Sequence, residues 1–273
     1  MLKVLISVDM EGVSGVVHAD HTGRNGKDYE IARKLMTLEA NAAAQGAFDA
    51  GADVVVLNDS HGTQRNFIPE LLDRRVRFIS GSPKPQTMMA GLDATFGAAL
   101  CIGYHARAGS GGILDHTISG KAVQEIRVNG QPQGELGLNA GIAGHYQIPI
   151  VMVSGDTPCC QQAMGLIPNI ACAEVKKPLT RYAAENLSPA SAQDLIKIKA
   201  KEGIERRDEI APIVFEMPVT ITLRLADSGM ADVVEWIPSV TRLDAVTVSV
   251  SSDNFLTAFQ SLRVMILVAG AVV

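Results

Sequence analysis

The chain has 273 residues, of which 47% are hydrophobic, 19% charged and 4% aromatic, and it carries a formal net charge of −5. A composition this apolar excludes a disordered acidic tail or a low-complexity filament, and the length suffices for one large or two small domains around a buried core. Lysines and arginines are scattered along an acidic chain, which argues against nucleic acid as a partner.

In chain order, residues 2–8 are rich in Leu, Val and Ile and predict a buried strand. A helix is expected over about residues 29–50, with Ile31, Leu35, Leu38 and Ala42 on its inner face and Gly51 as a left-handed stop. Residues 54–57, 76–79 and 98–102 predict three further strands, and residues 123–128 followed by Asn129-Gly130 read as a strand entering a tight hairpin. A helix over 136–146 and a buried strand over 148–153 come next. Strands alternating with helices predict an α/β fold, a mostly parallel sheet flanked by helices in three layers. After Pro189 the composition shifts: a charged stretch over 194–209 reads as an exposed helix, followed by strands near 213–225 and 243–250 and a last helix from about Asn254. This divides the chain into an α/β catalytic domain, residues 1–208, and a small α+β C-terminal subdomain, residues 209–273.

Of four cysteines, Cys101, Cys159, Cys160 and Cys172, two are adjacent, a spacing that suits neither an ordinary disulfide nor a CxxC metal knuckle. They read as reduced thiols of a cytoplasmic enzyme. Asp9 arrives before a signal-peptide core is complete, and the apolar residues 264–273 are shorter than the roughly 20 that a membrane span needs. Arg263 introduces that segment, so a packed terminal helix and no membrane are expected.

The chemistry is carried by the residues just past each apolar run. The first strand ends in Asp9-Met10-Glu11-Gly12, the second in Asn58-Asp59-Ser60-His61-Gly62, and the run 98–102 in Gly103-Tyr104-His105-Ala106-Arg107. Ligands of open parallel sheets bind outside the carboxyl ends of the strands, so Asp9, Glu11, His61 and His105 are delivered to one edge. Asp9 and Glu11 are two apart and point to the same side if the backbone stays extended. Carboxylate with imidazole suits zinc or another borderline divalent ion better than calcium. Singly each residue has an ordinary explanation; four converging at three strand ends point to a metal site. Asp59, beside His61, is placed to orient an imidazole. Glu135 alone is an acid in the first turn of a helix, His116 alone a loop histidine, His18 and His21 surface residues and His145 structural. Gly109-Ser110-Gly111-Gly112 lacks the order of a phosphate loop, and no G-x-S-x-G elbow occurs.

The run from Ser7 to Gly15, Ser-Val-Asp-Met-Glu-Gly-Val-Ser-Gly, resembles the opening of the zinc D-aminopeptidases of the dipeptide-permease operon type, the DppA family. The likeness continues through Asn58-Asp59-Ser60-His61, Ile79-Ser80-Gly81 with Lys84-Pro85, Gly91-Leu92-Asp93-Ala94-Thr95-Phe96 and Gly103-Tyr104-His105-Ala106-Arg107. Gly134-Glu135-Leu136-Gly137-Leu138-Asn139-Ala140 and Val151-Met152-Val153-Ser154-Gly155-Asp156 extend it, and order and spacing match over roughly the first 190 residues. The glycine-rich approach to His116 and the loop 16–27 depart from the family pattern.

The resemblance implies a site of two zinc ions per subunit held by Asp9, Glu11, His61, His105 and Glu135, with Asp9 bridging both and His116 as the catalytic histidine. It also implies a ring-shaped homo-oligomer of decamer size and short peptide substrates with D-Ala-type N-termini. Three carboxylates against two dications leave the site net positive, which favours an anionic tetrahedral intermediate. His116 serves as nucleophile or as general acid/base. A dinuclear phosphoesterase or amidohydrolase uses the same ligand types and stays open as an alternative, as does a non-catalytic peptide-binding protein.

Overall fold

The apolar run at the start of the chain forms β1 (Lys3–Val8), which lies near the middle of the larger of two sheets. The computed structural model describes residues 1–272. After β1 come a single helical turn, α1 (Ala19–Thr22), the long α2 (Tyr29–Asp49), and β2 (Val54–Asp59), β3 (Arg77–Ile79) and β4 (Ala98–Tyr104). A hairpin of β5 (Val123–Val128) and β6 (Gln131–Gln133) precedes α3 (Glu135–His145), β7 (Ile150–Asp156) and α4 (Thr157–Leu166). β8 (Ala171–Thr180), β9 (Ala183–Asn186) and α5 (Pro189–Glu205) follow. The last third adds β10 (Val219–Leu225), α6 (Ser228–Val234), β11 (Thr241–Arg242), β12 (Thr247–Ser252) and α7 (Phe255–Ala269).

The larger sheet has the order β3-β2-β1-β4-β7-β8-β9, parallel throughout except for β9. The chain runs outward from β1 through β2 to β3 and then returns to set β4 on the other side of β1. Right-handed crossovers in opposite directions put their helices on opposite faces, so α2 and α3 cover the sheet from both sides, as the alternating pattern predicts. β4 and β7 are buried along their whole length.

The smaller sheet, β11-β12-β10-β5-β6, is antiparallel. Its β5–β6 hairpin turns at Asn129 and Gly130, both with positive φ (49° and 80°), the conformation that the Asn-Gly pair favours. The hairpin comes from the middle of the chain and pairs with β10 from its last third. α7 packs on β10 and β12 and also on α3, and so joins the two sheets.

Several local expectations differ from the structure. The inner face of α2 is not Ile31, Leu35, Leu38 and Ala42 but Ala32, Met36, Ala40, Ala43 and Ala47, and Ile31 is 60% exposed. Small side chains face inward because α5 packs close: a Cβ on Gly46 would lie 2.3 Å from the Lys197 carbonyl oxygen. α5 starts at Pro189 rather than at Asp194, because Ser188 caps it by accepting from the Ser191 amide. The strand expected from residue 213 begins only at Val219, after Pro218, which has no amide hydrogen to give to a ladder. α4, β8, β9 and α6 were not expected, although Asp156 and Pro158 mark the start of α4 with a side-chain cap and an early proline.

At the other end, α7 starts after Asn254, which caps it through the Thr257 amide. Residues Phe255–Val272 are long and apolar enough to cross a membrane by length and composition. In the fold, Phe255, Ala258, Phe259, Leu262, Met265, Ile266 and Ala269 form a buried stripe along that helix.

Candidate metal centre

The point where the strand order turns back lies between β1 and β4, and the first acidic residues leave the sheet there. Beyond β1 the chain turns at once. The Asp9 amide donates to the Ile102 carbonyl (2.8 Å) and the Gly12 amide to that of Gly103 (2.7 Å). Such an approach needs two glycines. A Cβ on Gly12 would lie 1.9 Å from the Tyr104 carbonyl oxygen, and one on Gly103, where φ is +69°, would lie 2.3 Å from that of Asp9. Asp9 and Glu11 therefore meet through a turn, not through strand alternation.

Six side chains from five segments converge here: Asp9 and Glu11 after β1, His61 after β2, His105 after β4, His116 from the following loop and Glu135 at the start of α3. Asp9, Glu11, His61, His105 and Glu135 are buried and His116 is partly so. His61 Nδ1 lies 2.9 Å from Glu11 Oε2 and 3.2 Å from Asp9 Oδ1. His105 Nε2 is 3.6 Å from Asp9 Oδ2 and 3.5 Å from Glu135 Oε2, and His116 Nε2 is 3.8 Å from Glu135 Oε1. The His105 and His116 rings are stacked, with centroids 4.2 Å apart. Potential ligand atoms of Asp9, Glu11 and His105 all lie within 4.8 Å of one another, and so do those of His105, His116 and Glu135.

Each imidazole has one nitrogen against a main-chain carbonyl. His61 Nε2 is 2.9 Å from the Thr22 oxygen, His105 Nδ1 2.9 Å from that of Ala106, and His116 Nδ1 3.0 Å from that of Leu114. A carbonyl can only accept, so these nitrogens carry the proton, and the opposite nitrogen of each neutral ring is a bare lone pair turned on carboxylates. A lone pair facing a carboxylate needs a cation between them, either a proton or a metal ion. His105 Nε2 is the clearest instance, buried and with no hydrogen-bond partner. Three imidazoles and three carboxylates in this arrangement fit zinc.

The electrostatics describe the same crowding. Burial and the neighbouring Glu11 push the Asp9 carboxyl up to about 7. Burial also raises Glu11 and Glu135, but the histidines outweigh it, holding Glu135 near 2 and Glu11 well below the usual range. Burial opposes charging His105, yet Glu135 and Asp9 raise its pKa to about 10. Strong opposed shifts in one buried cluster are the mark of a functional site.

Asp59 does not touch the His61 ring. It accepts from the amides of Asn66 and Phe67 and from the Asn66 side chain, which in turn donates to the His61 carbonyl, so Asp59 fixes the 61–67 loop instead. The ring itself is held by the carbonyl of Thr22, the last residue of α1. His18 and His21 stay outside the cluster, capping the α1 turn, and His145 is exposed on α3.

Beneath the loop that carries Glu11 lie two buried ionisable residues, each tied to that loop's main chain. Lys176, on β8, donates to the carbonyls of Glu11, Val13 (2.9 Å) and Val16 (2.6 Å), while Glu39, on α2, accepts from the Ser14 amide (2.9 Å). Burial brings the Lys176 ammonium down to about 8 and lifts the Glu39 carboxyl to about 7. Glu39 stands between Leu38 and Ala40, a signal for burial, but Lys176 is followed by Lys177 and has Glu174 two residues before it, so the sequence does not mark it as buried. The cavity over the cluster has a volume of about 140 Å³, and its lining includes Met88, Ile118, Leu138, Phe259 and Arg263.

The profile of a family described as D-aminopeptidase matches residues 2–264. A D-aminopeptidase of Bacillus subtilis (strain 168) is 37% identical over 265 residues, covering 97% of this chain and 96% of its own. The solved structure of the Zn-dependent D-aminopeptidase DppA from Bacillus subtilis, described as a self-compartmentalizing protease, superposes with a TM-score of 0.96 at 36% identity over 98% of both chains. With sequence and fold matched along nearly its whole length, this chain belongs to the D-aminopeptidase family and is a peptide-bond hydrolase.

Proposed function

We propose that the protein is a dinuclear zinc aminopeptidase acting on short peptides with D-amino acid, D-Ala-type, N-termini. The observation that carries this reading is the set of three imidazoles, each donating one N–H to a main-chain carbonyl and turning its other nitrogen on the carboxylates of Asp9, Glu11 and Glu135. The zinc dependence of the solved relative supports the choice of metal. Asp9, in reach of both His61 and His105, is suited to bridge two ions, with Glu11 and His61 holding one and His105 and Glu135 the other. Bound zinc supplies Lewis acidity, polarising a scissile carbonyl and bringing the ionisation of water into the neutral range.

The chain's own residues do the rest. With two zinc ions held, the three carboxylates leave the cluster net positive, which favours the anion that forms at the scissile carbonyl. The apolar side chains of Met88, Ile118, Leu138 and Phe259 on the cavity wall suit a small apolar side chain of the substrate. His116 has the most exposed ring of the cluster, at 21%, and its Nε2 takes or delivers the proton, or attacks.

The assembly is a ring-shaped homo-oligomer of decamer size, supported by the self-compartmentalizing relative and by exposed apolar side chains such as Leu179 and Leu267. Four free cysteines, three of them buried, support a cytoplasmic location. Incubating zinc-loaded protein with D-Ala-p-nitroanilide and with p-nitrophenyl phosphate tests the activity. Release of nitroaniline is expected; cleavage of the phosphate alone makes the protein a phosphoesterase, and cleavage of neither a binding protein.

A further inference from the structure

Arg263 is not used by the chemistry above. It lies on α7 four residues after Phe259, so the two side chains share a helix face, and both line the cavity that holds Asp9, Glu11 and Glu135. The residue is half-buried, and among the described residues its guanidinium has neither a hydrogen bond nor an ion pair. Arg33 and Arg242, also half-buried, are by contrast tied to Glu30 and to Asp232 and Glu235. A guanidinium stays charged, and one drawn out of water without a partner is costly. Burial pulls the Arg263 pKa down, and Glu135 pulls the other way. An unpartnered fork of donors lining the cavity is built to meet a planar anion.

The size of the cavity limits what that anion belongs to. At about 140 Å³ it is far smaller than the roughly 300–1,000 Å³ of pockets for drug-sized ligands. A peptide whose scissile bond lies over the cluster has room for little beyond that bond before it reaches α7. Resting on the aminopeptidase reading, we propose that Arg263 is a specificity residue that pairs with a carboxylate on the leaving residue of the substrate. The carboxylate belongs either to the C-terminus of a dipeptide or to an acidic side chain at that position.

Three substrates separate these sources: D-Ala-D-Ala, its C-terminal amide, and D-Ala-D-Glu α-amide, which carries only a side-chain carboxylate. With zinc-loaded protein, a substrate bearing the recognised carboxylate is expected to exceed D-Ala-D-Ala amide in kcat/KM by about 10- to 100-fold, the worth of a hydrogen bond to a charged partner, with most of the difference in KM. D-Ala-D-Ala in the lead identifies the terminal carboxylate, and D-Ala-D-Glu amide in the lead the side chain. Arg263→Gln brings the ratio close to one, Arg263→Glu favours the amide, and Arg263→Lys, a charge without the fork, keeps part of the preference. Calorimetric titration of the acid and the amide into His116→Ala, with and without Arg263→Gln, reads the same preference as a ratio of dissociation constants without turnover. Equal kcat/KM for all three substrates, a ratio unmoved by Arg263→Gln, or equal or absent binding of acid and amide overturns the proposal. Failure of the aminopeptidase reading shows separately, as no release from D-Ala-p-nitroanilide.

Discussion

The two sheets reach the same cavity by different routes. The parallel sheet sends charged side chains to it directly, from the turn after β1, from the end of β2 and from beyond β4, each one to three residues past a buried strand. The antiparallel sheet sends none of its own residues. It supports α7, and α7 contributes Phe259 and Arg263 to the wall. Groups that must be held rigidly sit on the stiff edge of a buried sheet, while groups that meet the variable part of a substrate sit on a helix packed across it. Changes on the first side should abolish metal binding or turnover, and changes on the second should shift selectivity or stability alone.

Asp9→Ala puts that division to its hardest test. It is expected to lose both zinc ions and all measurable peptidase activity, whereas Glu11→Ala mainly weakens one ion. Elemental analysis that finds wild-type zinc in Asp9→Ala removes Asp9 from the ligands and breaks the comparison. His116→Ala sharpens it, since His116 stands in a loop among ligands. A fall in kcat of about 10²- to 10⁴-fold with two zinc ions retained is expected of a proton-transfer group. One zinc missing makes His116 a ligand, and near-normal turnover makes it an ordinary histidine.

A smaller effect is expected below the Glu11 loop. Glu39 has a folded pKa near 7 against its usual 4.5, so it binds a proton more tightly in the folded protein. Its contribution is fully present below about 4.5 and is lost as pH rises through about 7, a change on the order of 3 kcal/mol. Urea melts across that range should show wild-type stability falling with pH relative to Glu39→Gln, and parallel curves would mean that Glu39 is charged in the folded state. Smallest of all, Gly130→Ala places a Cβ at φ +80° in open space on the second sheet. A loss of about 1–2 kcal/mol in stability with unchanged zinc content is expected, and lost zinc would tie the two sheets more closely than the comparison allows.

Residues of the first kind were legible in the sequence because a buried strand announces itself and its next polar residue marks the edge. Asp9, Glu11, His61 and His105 are marked in this way, although Asp9 and Glu11 lie on a turn and not on an extended backbone. His116 and Glu135 came only through family resemblance, since a loop histidine and a first-turn acid carry no spatial label. Lys176, Glu39 and Arg263 escaped because their roles arise from contacts between segments distant in sequence. Lys176 meets Glu11 across 165 residues, and no local period encodes that. The inner face of α2 was misplaced for a related reason: close helix packing selects alanine, while pattern reading favours bulk.

The pairing of β5 with β10 has a consequence for how the protein withstands cleavage. The strands lie side by side, yet residues 134–218 between them build β7, β8, β9 and three helices that complete and cover the other sheet. No single break in the chain can therefore release one sheet from the other. A protease that cuts in this stretch and lets the pieces separate leaves the β5–β6 hairpin on one fragment and its partner strand on the other, each with an open edge. Unpaired edges of that sort recruit further strands, so nicked protein is expected to aggregate rather than survive as a trimmed enzyme.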